Sequence, residues 1–105
     1  MYILALLRVA IAGFDWDDSN WPKCAKHGVS KAEIEQVLMH GPAVFPDRGQ
    51  ETEERFNAIG RNAEGRYLFI VFAFRAKDED ALIRPISARY MHQKEVSHYE
   101  QRKDS

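Results

Sequence analysis

The run Tyr67-Leu-Phe-Ile-Val-Phe-Ala-Phe74 constrains the fold more than any other stretch of the chain. It has the length of a strand, is short for a helix, and is rich in aromatic and β-branched types. A continuous apolar run, unlike an alternating one, predicts a strand covered on both faces. Arg66 and Arg75 bracket it, so both ends emerge into solvent. The run is therefore read as the centre of a small sheet, which the other elements must extend or cover.

A chain of 105 residues suffices for one domain with a single core. An apolar fraction of 45% beside 30% charged residues excludes wholesale disorder. Residues 1–13 read as an N-terminal extension whose structure stays open. Ile3, Ala5, Leu7, Val9 and Ile11 share one strand parity, yet a segment ordered only under a partner fits as well. Arg8 follows the first apolar residues, which does not suit a signal peptide, and a membrane span needs ~20 apolar residues. Residues 14–105 form the domain itself.

Phe14-Asp15-Trp16-Asp17 alternates apolar and acidic, as a short strand with inward aromatics does. A helix follows, begun by one of Asp17, Asp18, Ser19 or Asn20, with Pro22 in its first turn and Gly28 at its C′ position. The next helix has the sharpest boundaries. Ser30 and Glu33 form a capping box, Val29 and Ile34 a hydrophobic staple, and Gly41-Pro42 a stop. Ala43–Asp47 reads as a short edge strand, because Pro42 and Pro46 lack the amide hydrogen of a central one. Residues 48–54 are a polar loop, 55–59 a strand, 62–65 the turn into the central run, and 77–80 a second turn. Residues 82–89 make a third strand that lies at an edge or bulges at Pro85. The last helix starts near His92, with Glu95 at N3 and a narrow stripe of Val96 and Tyr99, and residues 101–105 fray. The fold class is α+β: a small antiparallel sheet with two helices before it and one after.

Cys24 is the only cysteine, which excludes an internal disulfide and suits a reducing cytosol. The four histidines show no zinc-type pairing with it, and no glycine-rich nucleotide loop or nucleophile elbow occurs, so neither metal nor cofactor is expected. The net charge of −1 hides an asymmetry. Residues 1–54 carry 5 basic and 9 acidic side chains, whereas residues 55–75 carry 4 and 1. A basic second half can meet phosphate. Arg55, Arg61, Arg66, Arg75, Arg84 and Arg89 stand at strand ends, with Lys26 and His27 at a helix end. An arginine fork holds two phosphate oxygens. Cutting RNA without metal requires a group to take the 2′-hydroxyl proton, one to protonate the leaving 5′-oxygen, and cations for the charge that builds on phosphorus oxygens. Histidine is the usual side chain for such proton transfers, which makes His27 a candidate, and clustered arginines would serve the charge. Plainer roles stand beside these: Lys26 and His27 suit any helix C-terminus, and Arg66 and Arg75 solubilise a strand. Arg89 resists a plain explanation, since it ends an apolar strand with no acidic partner nearby in sequence.

Phe14-x-Trp16-Asp17 and Lys26-His27-Gly28-Val29-Ser30 are followed by Phe45-Pro46-Asp47, Glu54-Arg55-Phe56, Ile59-Gly60-Arg61 and Gly65-Arg66. Ile83-Arg84-x-Ile86-Ser87-Ala88-Arg89 and Tyr99-Glu100 complete the series. In order and spacing this resembles the BrnT family of bacterial ribonuclease toxins over residues 14–100. The resemblance implies a RelE-like fold and a cytoplasmic, metal-independent ribonuclease that halts translation. It implies a BrnA-like antitoxin with a ribbon-helix-helix part, operator DNA bound only through that antitoxin, and no membrane partner. Carried onto this chain, Arg89, Arg61 and Arg55 would hold the scissile phosphate, His27 or Tyr90 would move a proton, and Lys26 and Arg84 would touch the RNA backbone. Several positions depart from the family pattern: Asn20 stands where a lysine is common, Lys23 where an asparagine is, the gap from Trp16 to His27 is one residue shorter, and Pro85 interrupts a strand. With the weak net charge, the missing lysine favours the alternative of a non-catalytic module that only binds its antitoxin partner.

Overall fold

The computed structural model describes residues 2–3, 11–47, 49 and 53–103, and it places the apolar run inside a six-stranded sheet. In chain order the elements are β1 (Tyr2–Ile3), β2 (Ile11–Phe14), α1 (Trp21–Ala25), α2 (Lys31–Met39), β3 (Ala43–Asp47), β4 (Arg55–Arg61), β5 (Tyr67–Lys77), β6 (Asp80–Tyr90) and α3 (Gln93–Lys103). The strand order is β1-β3-β4-β5-β6-β2. β5 is interior and antiparallel to both neighbours. The class is α+β, as expected, with one departure in the pairing. β2 runs parallel to β6, so the sheet is mixed.

Side chains of β5 alternate between two unlike surroundings. Leu68, Ile70 and Phe72 are fully buried with Ile34, Val37 and Leu38 of α2 and Cys24 of α1. Each such side chain contributes roughly 1.5–3 kcal/mol by leaving water. Phe69 and Val71, on the far face, are only half-buried. The expected covering of both faces is thus complete on the helix side alone. On the far side α3 meets the sheet at one end, where the Tyr67 and Tyr99 rings lie 5.6 Å apart. α2 lies close on β4, where a Cβ at Gly60 would stand 2.8 Å from Val37 Cγ1.

Local signals hold at most boundaries. The capping box is formed, with Glu33 N–H donating to Ser30 Oγ at 3.1 Å and Ser30 N–H to Glu33 Oε1 at 3.4 Å. Gly65 turns the chain into β5 with φ +82, and Asp78 takes φ +55 in the tight turn between β5 and β6, a conformation that Asp tolerates better than most residues. Pro85 sits where the β5–β6 register shifts and Ile86 is left unopposed, the bulge that its missing amide hydrogen calls for. β3, expected as an edge strand, is covered in its first half, since Ala43 and Val44 pair with β1. The strand expected at residues 14–17 ends at Phe14, although Asp15 N–H still donates to the Ile83 carbonyl at 2.8 Å. The single-parity strand expected through residues 3–11 falls largely outside the described residues, as does part of the 48–54 loop. Among the described residues no helix is long and apolar enough to cross a membrane.

Candidate functional site

Alternation along β4, β5 and β6 sorts the candidate residues onto the two faces. On the far face the register aligns Arg61 with Tyr67, Ile59 with Phe69 and Arg89, and Asn57 with Val71 and Ser87. Arg55 shares the parity of Asn57 on β4, and Arg84 lies opposite Ala73. Arg55, Arg61, Arg84 and Arg89 therefore occupy one face.

Their surroundings differ. Arg89 directs its fork at Glu95, with Nη1 to Oε1 at 2.8 Å and Nη2 to Oε2 at 2.9 Å, and it lies 5.0 Å from the Phe69 ring centre. The same carboxylate accepts the His92 amide at 2.9 Å and so starts α3. Arg89 first, and that amide second, hold the Glu95 carboxyl down at about 2. Arg89 thus has a carboxylate partner after all, six residues on, which corrects the expectation from local sequence. Arg61 is exposed, with its guanidinium 5.1 Å from the Tyr67 ring centre. Arg55 opens β4 opposite Asp47.

Arg84 is a tie between elements. Its Nη1 reaches Asp15 at 3.2 Å and Asp17 at 3.0 Å, and its Nη2 reaches Asp17 at 3.1 Å and Ser19 at 2.6 Å. The guanidinium holds the Asp17 carboxyl well below the usual carboxylate range. β6 is thereby fastened to the segment that leads into α1. This fork, expected on an RNA backbone, is filled by the protein's own oxygens.

The remaining candidates lie on the helix side. Tyr90 follows Arg89 on the strand and therefore emerges on the opposite face. Its hydroxyl donates to Glu33, 2.9 and 3.0 Å from the two carboxylate oxygens, beneath the Arg66 guanidinium at 3.7 Å from the ring centre. Burial first, then Glu33, raises the Tyr90 pKa and keeps the phenol protonated. Lys26 and His27 are exposed in the turn between α1 and α2. The fold does not bring them onto the arginine face. Tyr90 comes nearest, at the sheet end where Arg61 and Arg66 also stand. Arg75 pairs with Glu53 at 2.6 Å, a surface contact at the opposite end of β5.

Asn20 stood out in the sequence as one of four possible caps and as a departure from the family pattern, with no structural role assigned to its side chain. It occupies the N-cap of α1, yet its side chain makes no cap bond. Buried to 3% exposure, it donates to the carbonyls of Asp15 at 2.9 Å and Pro85 at 2.7 Å, and accepts the Asp17 amide at 2.8 Å. Two of the positions that depart from the expected pattern, Asn20 and Pro85, thus touch each other. Among the described residues no three His, Cys, Asp or Glu are grouped to hold a metal ion.

The family model described as "Ribonuclease toxin, BrnT, of type II toxin-antitoxin system" matches residues 16–95. That span takes in the whole of α1 through β6 and the start of α3. Among curated proteins none matches the sequence.

Proposed function

Because this chain belongs to the BrnT family of ribonuclease toxins of type II toxin–antitoxin systems, we propose that it is an endoribonuclease that cuts RNA without a metal ion and so stops translation. The observation that carries the reading is the arginine set on the far face, with Arg89 and Arg61 beside the aromatic ring of Tyr67 or Phe69. In the proposed reaction the 2′-hydroxyl gives its proton to solvent water as its oxygen attacks phosphorus, the bond to the 5′-oxygen breaks and that oxygen is protonated, and a 2′,3′-cyclic phosphate forms. Arg89, with Arg61 and Arg55, holds the phosphate oxygens as their charge grows. The leaving 5′-oxygen takes its proton from solvent water on the open far face, because Tyr90, although kept protonated, emerges on the opposite face against Glu33. His27 and Lys26 stand on the helix side as well, and there they would meet the RNA backbone rather than the scissile phosphate. The partner in this reading is a BrnA-like ribbon-helix-helix antitoxin that alone contacts operator DNA. The chain acts in the cytoplasm, and its fold belongs with the RelE-like toxins.

The assay is total RNA incubated with purified protein in EDTA. Wild type is expected to give discrete products ending in cyclic phosphate, and Arg89→Ala to lose them by about 100-fold or more. A second reading, a non-catalytic module that sequesters its antitoxin, draws support from the carboxylates that fill the forks of Arg84 and Arg89. Intact RNA together with tight antitoxin binding would select it.

A further inference from the structure

Between α3 and the far face of the sheet lies a groove of about 640 Å³, within the size range of small-ligand sites. Phe45, Ile59 and Phe69, from three adjacent strands, line it together with Tyr99. The three strand residues are half-buried, so flat apolar surface faces the groove in a sheet whose other face is dry. His98, Arg102 and Lys103 of α3 also line it. Arg89 lies over Phe69, and Glu95, the one carboxylate among the described residues that line the groove, is the one its fork holds. Aromatic surface within a cationic rim is how single-stranded nucleic acid is held, the bases stacking while the backbone follows positive charge.

We propose that this groove seats one unpaired base of the RNA substrate beside the phosphate held at Arg89, and so selects the nucleotide next to the cut. The inference rests on the ribonuclease reading above and adds a site of base recognition to it. Phe69 is the stacking surface, and Phe45 closes the groove at its far side.

The test uses the full chain and a fluorescein-labelled RNA of ~10 nucleotides with 2′-O-methyl groups throughout, which lacks the attacking hydroxyl. Binding is followed by anisotropy. Phe69→Leu keeps apolar bulk and removes the flat ring, and it is expected to weaken binding about tenfold. In a series of RNAs with one abasic site each, wild type should lose the same factor at one position where Phe69→Leu loses nothing further. Phe45→Leu, farther from Arg89, serves as the second variant, and both should alter the cut-site pattern on cleavable RNA. Wild-type binding and an unchanged cut-site pattern in both variants overturn the base seat while leaving the ribonuclease reading intact. Wild-type protein that neither binds nor cuts RNA overturns both. Loss of antitoxin binding in the variants, with RNA binding untouched, gives the groove to a protein partner and also overturns the proposal.

Discussion

The two faces of the central strand are built from the same kinds of residue and differ in what completes them. Leu68, Ile70 and Phe72 are sealed by α1 and α2, whereas Phe69 and Val71 stay half-exposed among arginines. α3, the described helix on that side, buries none of its residues fully. One strand therefore separates the labour by parity. Leu68, Ile70 and Phe72 hold the fold, and Phe69 and Val71 border the chemistry without supplying its charged groups. Those come from its neighbours, β4 and β6.

The division can be broken most directly at Phe72. Phe72→Ala should cost about 3–5 kcal/mol by urea titration, whereas Val71→Ala should cost about 1 kcal/mol. Equal costs would mean that the far face is as tightly packed as the core. Arg89→Ala inverts the pattern, with a loss of about 100-fold or more in RNA cleavage and a change in stability within about 1 kcal/mol. Gly60→Ala comes next. The added carbon would sit 2.8 Å from Val37 Cγ1 and 3.3 Å from Pro42 Cβ, so α2 must shift, at about 1–3 kcal/mol by thermal melting. Arg84→Ala tests whether every arginine of the far face belongs to recognition. It should lower the urea midpoint, since β6 loses its tie to the segment before α1, while affecting cleavage less than Arg89→Ala. The smallest effect is a pH dependence at Glu95. Its folded pKa of about 2 lies below the ordinary 4.5, so its contribution is fully present above that ordinary value and is lost as pH falls towards 2. Urea midpoints of wild type and Glu95→Gln should differ by a constant amount near neutral pH and converge in that acid window.

Much of this architecture was legible because it is written in short-range chemistry. The Ser30–Glu33 box, the glycine turns, the apolar run and the demand that Pro85 makes for a bulge each depend on a few neighbouring residues. The assignment of Tyr90 to one site with Arg89 overlooked a signal that was available, since adjacent strand residues face opposite ways. Other features were beyond reach. The tie from Arg84 to Asp17 spans 67 positions and exists only once β6 meets the segment before α1. The burial of Asn20 depends on the same docking. The groove depends on the register of β3, β4 and β5 together with the resting place of α3, and no local pattern specifies that combination.

Glu95 is the carboxylate that begins α3 and also the one that fills the fork of Arg89. Any anion that takes that fork must take it from the helix start, so ligand occupancy and order in the first turn of α3 form one equilibrium. The His92 amide becomes a built-in reporter. Its hydrogen exchange should quicken when phosphate or RNA arrives, at a position that the ligand need not touch.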